Sequence, residues 1–154
     1  MALNQYVYFA LASECTAADE ITALLGIEPD ETAVRGSRST SPVVRPRCHR
    51  WKIVCNERGL RVDEQIACVI ERLRPHTAAI ARLTGGLDAD ETSWTPVLQV
   101  VRYFNDDPEE EPEPASDEIN LFGWHLDRDV LDFLLATGAE VDVDEYDMAG
   151  GGED

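Results

Sequence analysis

Residues 6–28, YVYFALASECTAADEITALLGIE, carry a strand signal, a helix start and a helix stop in one short span, and they set the pattern for the rest of the chain. Tyr6, Val7, Tyr8, Phe9 and Leu11 form an aromatic and β-branched run suited to a pleated, largely covered strand, which stops at Ser13. Thr16 is placed to cap the following helix, its hydroxyl accepting from orphan backbone amides, while Asp19 or Glu20 completes a capping box and favours the positive end of the helix dipole. Ile21, Leu24 and Leu25 predict an apolar stripe on one side. Gly26 falls where a left-handed C-cap residue is needed, and Pro29 forbids continuation.

Beyond Pro29 the chain mixes Gly36, Pro42 and Pro46 with Ser, Thr and Arg, which predicts a short edge strand over 32–35 followed by a loop. In RWKIVC, residues 50–55, Trp51, Ile53 and Cys55 alternate with Lys52 and Val54 as in a strand. Asp63 is expected to cap the longest helix, along which Ile66, Ile70, Leu73, Thr77 and Ile80 draw one stripe. Pro75 interrupts that stripe, and a proline in a helix interior costs about 3 kcal/mol, so a kink or a junction of two helices is expected there. Gly85 and Gly86 end it. TPVLQVVRYFN, residues 95–105, is the longest strand candidate, apolar on both faces and so expected to be central. Residues 121–126, LFGWHL, read as a further strand. Asp127 then caps a helix with Val130, Leu131, Leu134 and Leu135 facing inward and Gly138 as its stop, and residues 139–143 form a last strand.

The order of elements predicts an α+β fold: one mixed, mainly antiparallel sheet with about three helices packed on one face, in a ferredoxin-like arrangement. The 154 residues suffice for one domain that buries roughly 70% of its unfolded surface without a metal or disulfide. That domain is expected over 1–147, with an acidic insertion at 105–118 and a disordered tail at 148–154.

Net charge is −18, from 31 acids against 13 bases, and twelve of the bases are arginine with Lys52 as the one lysine. Such charge disfavours direct binding to nucleic acid or to an anionic membrane, since both repel it, and favours a basic protein partner. Nothing at the N-terminus pairs a basic segment with a long apolar run, so a cytoplasmic protein is expected. The four cysteines, Cys15, Cys48, Cys55 and Cys68, read as reduced thiols rather than a disulfide framework. Charge is segregated along the chain: eight of the thirteen bases lie between positions 35 and 61, whereas 106–118 is almost purely acidic.

Several stretches in order resemble one bacterial family, domain of unknown function 4279. They are the opening YVYFAL, the segment EITALLGIEPDET with Gly26 and Pro29, the Arg35-Gly36 turn and Trp51 opening a strand. The long helix with LRPH, the strand VLQVVRYF and the closing LDRDVLDFLLATGAEVDVDEY follow. The resemblance covers residues 5–147. It implies a small α+β domain and supplies no activity; no cofactor and no catalytic residue is expected from the residues themselves.

Candidate chemistry is weighed against plain structural roles. Cys48, His49 and Cys55 are possible zinc ligands by type, with a fourth from Cys15, Cys68 or His76, but paired CxxC knuckles are absent and no metal site is expected. Cys15 precedes a helix N-terminus, where a dipole lowers a thiol pKa, and His49, His76 or His125 would have to serve as its base. Asp142, Asp144 and Asp147 with Glu145 lack EF-hand spacing, and on a strand Asp142 and Asp144 share one solvated face. Arg35, Arg38, Arg45, Arg47 and Arg50 are the better anion- or partner-binding candidates, since guanidinium forks grip carboxylates and phosphates bidentately. The simple alternative is that this loop folds on the protein's own acidic surface. Glu109, Glu110, Glu111 and Glu113 form the acidic loop expected to receive a basic partner. The leading expectation is a non-enzymatic protein-binding module of adaptor or immunity type. An enzyme using Cys15 or a histidine with the arginine cluster is the second reading, and self-assembly through a sheet edge the third.

Overall fold

Alternation along β1 (Leu3–Ser13) divides the sheet into two unlike faces. Val7, Phe9 and Leu11 are wholly buried on one side, while Tyr6 and Tyr8 between them stay half-exposed on the other. The structure, a computed structural model, describes residues 3–14, 17–34, 48–85, 94–106 and 122–149. β1 lies at the middle of a five-stranded sheet, antiparallel to β3 (His49–Cys55) on one side and to β4 (Thr95–Phe104) on the other. β2 (Glu31–Ala33) pairs antiparallel with β3 at one edge, and β5 (Glu140–Asp147) runs parallel to β4 at the opposite edge. The sheet is therefore mixed, in the order β2-β3-β1-β4-β5. The strand expected to be central, β4, is interior but one place from the edge; β1 takes the centre because it has neighbours of near-full length on both sides.

The helices bury their apolar residues against the Val7, Phe9 and Leu11 side. α1 (Ala18–Leu25) contributes Ile21 and Leu25, and α2 (Val62–Leu73) contributes Ile66, Val69, Ile70 and Leu73. Pro75 sits in a 3₁₀ turn, Arg74–His76, that joins α2 to α3 (Thr77–Thr84), so the expected interruption is a junction of two helices. α4 (Arg128–Thr137) completes the layer, with the Phe133 ring edge-on to Phe9 at 5.5 Å between centroids. Trp51 from β3 is fully buried beneath α1, its Nε1 donating to Thr22 Oγ1 at 3.2 Å.

Helix ends follow the sequence in most places. Gly26 and Gly138 adopt φ of 70°, and Asp127 Oδ1 accepts from Val130 N at 2.9 Å. Thr16 lies outside the described residues, and the N-cap position of α1 belongs to Ala17. Asp63 does not cap α2. Arg61 occupies that position, its backbone N–H donating to Glu64 Oε2 at 2.7 Å, while Asp63 in the first turn pairs with Arg61 Nε at 3.2 Å and with His125 Nδ1 at 3.0 Å.

Three other expectations need correction. Residues 122–127 form no strand: the Gly123 carbonyl accepts from Arg61 at 2.8 Å and the Phe122 carbonyl from Arg102 at 3.3 Å, so guanidinium groups take the place of a strand ladder. Leu24 is 63% exposed and Leu135 70%, with Leu131 also outward; the inward face of α4 is Val130, Phe133, Leu134 and Thr137. The last strand is longer than 139–143, running through Asp147. Residues 107–118 of the acidic insertion expected over 105–118, the segment 35–47, and residues 150–154 of the tail expected over 148–154 lie outside the described residues.

Candidate binding face

The sequence has four tyrosines, and all of them rise from the sheet face opposite the helices. Tyr6 and Tyr8 are alternate residues of β1, with ring centroids 6.2 Å apart. Tyr103 of β4 is paired with Tyr146 of β5, and their rings stack at 5.1 Å. Tyr6 and Tyr103 are electrostatic neighbours on this face, which brings the two pairs together. Burial pushes the Tyr6 pKa up to about 12, helped by the neighbouring Tyr103. Ala10, Gln99 and Val101 lie on the same face and are buried among these larger side chains.

Charge is ordered across this face. On the β3 side stand Arg50, which is exposed, and Lys52, whose Nζ lies 4.2 Å from the centre of the Tyr8 ring and 3.8 Å from the Glu31 carboxylate. Burial lowers the Lys52 pKa, partly offset by Glu31. On the β5 side stand Asp142, exposed, and Asp144, whose Oδ2 accepts from Gln99 Nε2 at 3.2 Å. Tyr8 sits between the two, its pKa raised by burial, pulled down by Arg50 and raised again by Asp144 and Asp142. Tyrosine rings attract cations to their faces, and carboxylates beside them add Coulombic pull, so the β5 half of this face carries a potential favourable to positive charge.

The other side of β4 and β5 does structural work. Arg102 is buried, donating to Gln5 Oε1 at 3.1 Å and to Glu145 Oε1 at 3.2 Å, with the Phe104 ring 4.9 Å away. Gln5 in turn donates to the Leu60 carbonyl at 2.9 Å, and Gln65 Nε2 donates to the Gln5 and Glu57 carbonyls at 3.0 and 3.1 Å. A buried guanidinium left without partners is strongly destabilising, so these bonds offset the cost of its burial, and the network locks the α2 start to the sheet. At the opposite corner Arg72 grips Asp30 through two bonds, 2.6 and 3.1 Å, and Asp30 also accepts from Val54 N at 2.7 Å. The Arg72 guanidinium holds the Asp30 carboxyl below the usual carboxylate range.

Of the residues singled out in the sequence, Arg50 stands at the rim of the tyrosine face. Arg35, Arg38, Arg45, Arg47, Glu109, Glu110, Glu111, Glu113 and Cys15 lie outside the described residues. His49 and Cys55 begin and end β3, six residues and about 20 Å apart along an extended strand, so they cannot share one zinc ion. Cys55 instead neighbours Cys68 of α2, and burial, followed by the nearby Cys55 thiol, raises the Cys68 pKa. His125 pairs with Asp63 and His76 lies in the 3₁₀ turn, away from the tyrosine face. Asp142 and Asp144 do share one face, while Asp147 points to the other and accepts from Asn105 Nδ2 at 2.7 Å. The tyrosine face itself was missed. Its signal was present as alternate pairs, Tyr6 with Tyr8, Arg50 with Lys52, Asp142 with Asp144, but which strands lie side by side is not written in any one of them.

Together these features define a small α+β protein with one mixed five-stranded sheet, helical on one face and aromatic and charged on the other. The chain belongs to the family described as Domain of unknown function (DUF4279), which matches residues 3–148, in agreement with the resemblance carried by its motifs. No curated protein and no solved structure matches it. Among the described residues no helix is long and apolar enough to cross a membrane.

Proposed function

We propose that the protein is a non-enzymatic protein-binding module, of adaptor or immunity type, that docks a basic partner on the tyrosine face beside β5. The observation that carries this reading is the gathering of all four tyrosines on the face opposite the helices, next to Asp142 and Asp144. Lys52 over the Tyr8 ring is an internal example of the contact a partner's lysine or arginine would make with Tyr103 or Tyr146. The net charge of −18 steers such a partner inward from a distance and repels acidic competitors.

Titration calorimetry with an arginine- and lysine-rich peptide tests the reading. Binding is expected at low salt, weakening as the screening length shortens below about 8 Å. The Asp142→Asn/Asp144→Asn double variant, which keeps shape and removes charge, is expected to lose most of the affinity. Affinity indifferent both to salt and to that double variant would sink the proposal.

A further inference from the structure

β5 is the last strand of the sheet, and among the described residues nothing pairs with its outer edge. It is eight residues long, against three for β2 at the other edge. A strand that long with a free row of backbone donors and acceptors is a template for another chain. Its carboxylates decide which chain. Two β5 strands side by side would set the Asp142 and Asp144 carboxylates of one copy against those of the other, and like charges facing each other across a ladder are destabilising. A cationic strand meets no such barrier.

The two sides of β5 specify more. Asp142, Asp144 and Tyr146 stand on the tyrosine face, while Val141 and Val143 turn to the helix side beside buried Leu98 and Val100. Yet Val141 remains 36% exposed and Val143 39%. The apolar layer thus runs one strand beyond the helices that cover it, and a further strand bearing apolar side chains would extend it.

We propose that an extended basic segment of a partner protein adds to the outer edge of β5 as a sixth strand. Paired residues on neighbouring strands share a face, so the segment's chemistry follows: lysine or arginine at alternate positions, meeting Asp142, Asp144 and the Tyr146 ring, with valine or isoleucine between them covering Val141 and Val143. Main-chain hydrogen bonds supply affinity and the alternating side chains supply selection. This rests on the reading that a basic partner docks beside β5 and adds the form in which it docks.

The test uses the full chain and two synthetic peptides of identical side chains, alternating lysine and valine, one with its backbone amides N-methylated at alternate residues. The methylated peptide keeps its charge and loses the donors a ladder needs. The unmodified peptide is expected to bind at least about tenfold more tightly, and to slow amide hydrogen exchange along β5. Equal binding of the two peptides with no protection of β5 overturns strand addition and leaves charge docking in place. Failure of both peptides to bind overturns both. Protection of β5 in the free protein that grows with protein concentration assigns the edge to a second copy and likewise overturns the proposal.

Discussion

Tyr6 shows how a single side chain reports the tyrosine face. Its phenol is pushed up to about 12 by burial and by Tyr103, whereas the ordinary value is 10.0. The folded protein therefore keeps this proton where an unfolded chain gives it up. The resulting stability is complete below pH 10.0 and is lost as pH climbs through about 12. Following phenolate absorbance, the last tyrosine ionisation is expected near pH 12 and should vanish in Tyr6→Phe; loss of an early ionisation instead would refute the assignment. Asp30 has the opposite sign. Arg72 depresses its pKa below 3.8, so its contribution is present above that value and disappears as pH falls through the folded one. Both partners are more than a third exposed, so water screens the pair and it contributes about 1 kcal/mol at most. Urea denaturation of Asp30→Asn should show that deficit at neutral pH, and the gap to the parent should close as pH falls below the depressed carboxyl pKa.

At the scale of elements, α1 depends on how it stops. Gly26 holds φ of 70° with no atom within 4 Å of where a Cβ would stand, so Gly26→Ala meets no clash and isolates the backbone term. The left-handed conformation should cost about 1–2 kcal/mol, read as a lowered denaturation midpoint with an unchanged slope; a neutral result would mean the chain leaves α1 by another path. Such ends were legible because they depend on one residue and its neighbours, as at Gly26, Asp127 and Gly138. Buried stripes were legible where spacing sufficed, as with Ile66, Ile70, Leu73 and Ile80. Leu24 and Leu135 misled because an apolar side chain at helical spacing does not say how wide the buried stripe is. Residues 121–126 misled for a different reason: their apolar pattern suits a strand, but the carbonyls of Phe122 and Gly123 are claimed by Arg102 and Arg61, which are distant in sequence. The tyrosine face is of the same kind, since Tyr103 meets Tyr146 only because β5 runs parallel to β4.

At the scale of the whole molecule the net charge of −18 acts on two equilibria in opposite directions. Within the folded chain the excess acids repel one another more strongly than in the expanded unfolded chain, which lowers stability at low ionic strength. Added salt relieves that repulsion as the screening length falls from about 10 Å at 0.1 M to about 3 Å at 1 M. If a basic partner docks at Asp142 and Asp144 as proposed, the same screening weakens its attraction. Melting temperature should therefore rise with sodium chloride while peptide affinity falls. A gain of about 1 kcal/mol would lift the midpoint by roughly 2–4 °C for a chain of this size. Calorimetric melts and titrations over one salt series check both slopes, and a second chloride salt at matched ionic strength separates screening from surface exclusion. The two slopes must differ in sign: a melting temperature that falls with salt would mean local pairs such as Arg72 with Asp30 outweigh global repulsion, and an affinity that rises would mean apolar burial on Val141 and Val143, not charge, holds the partner.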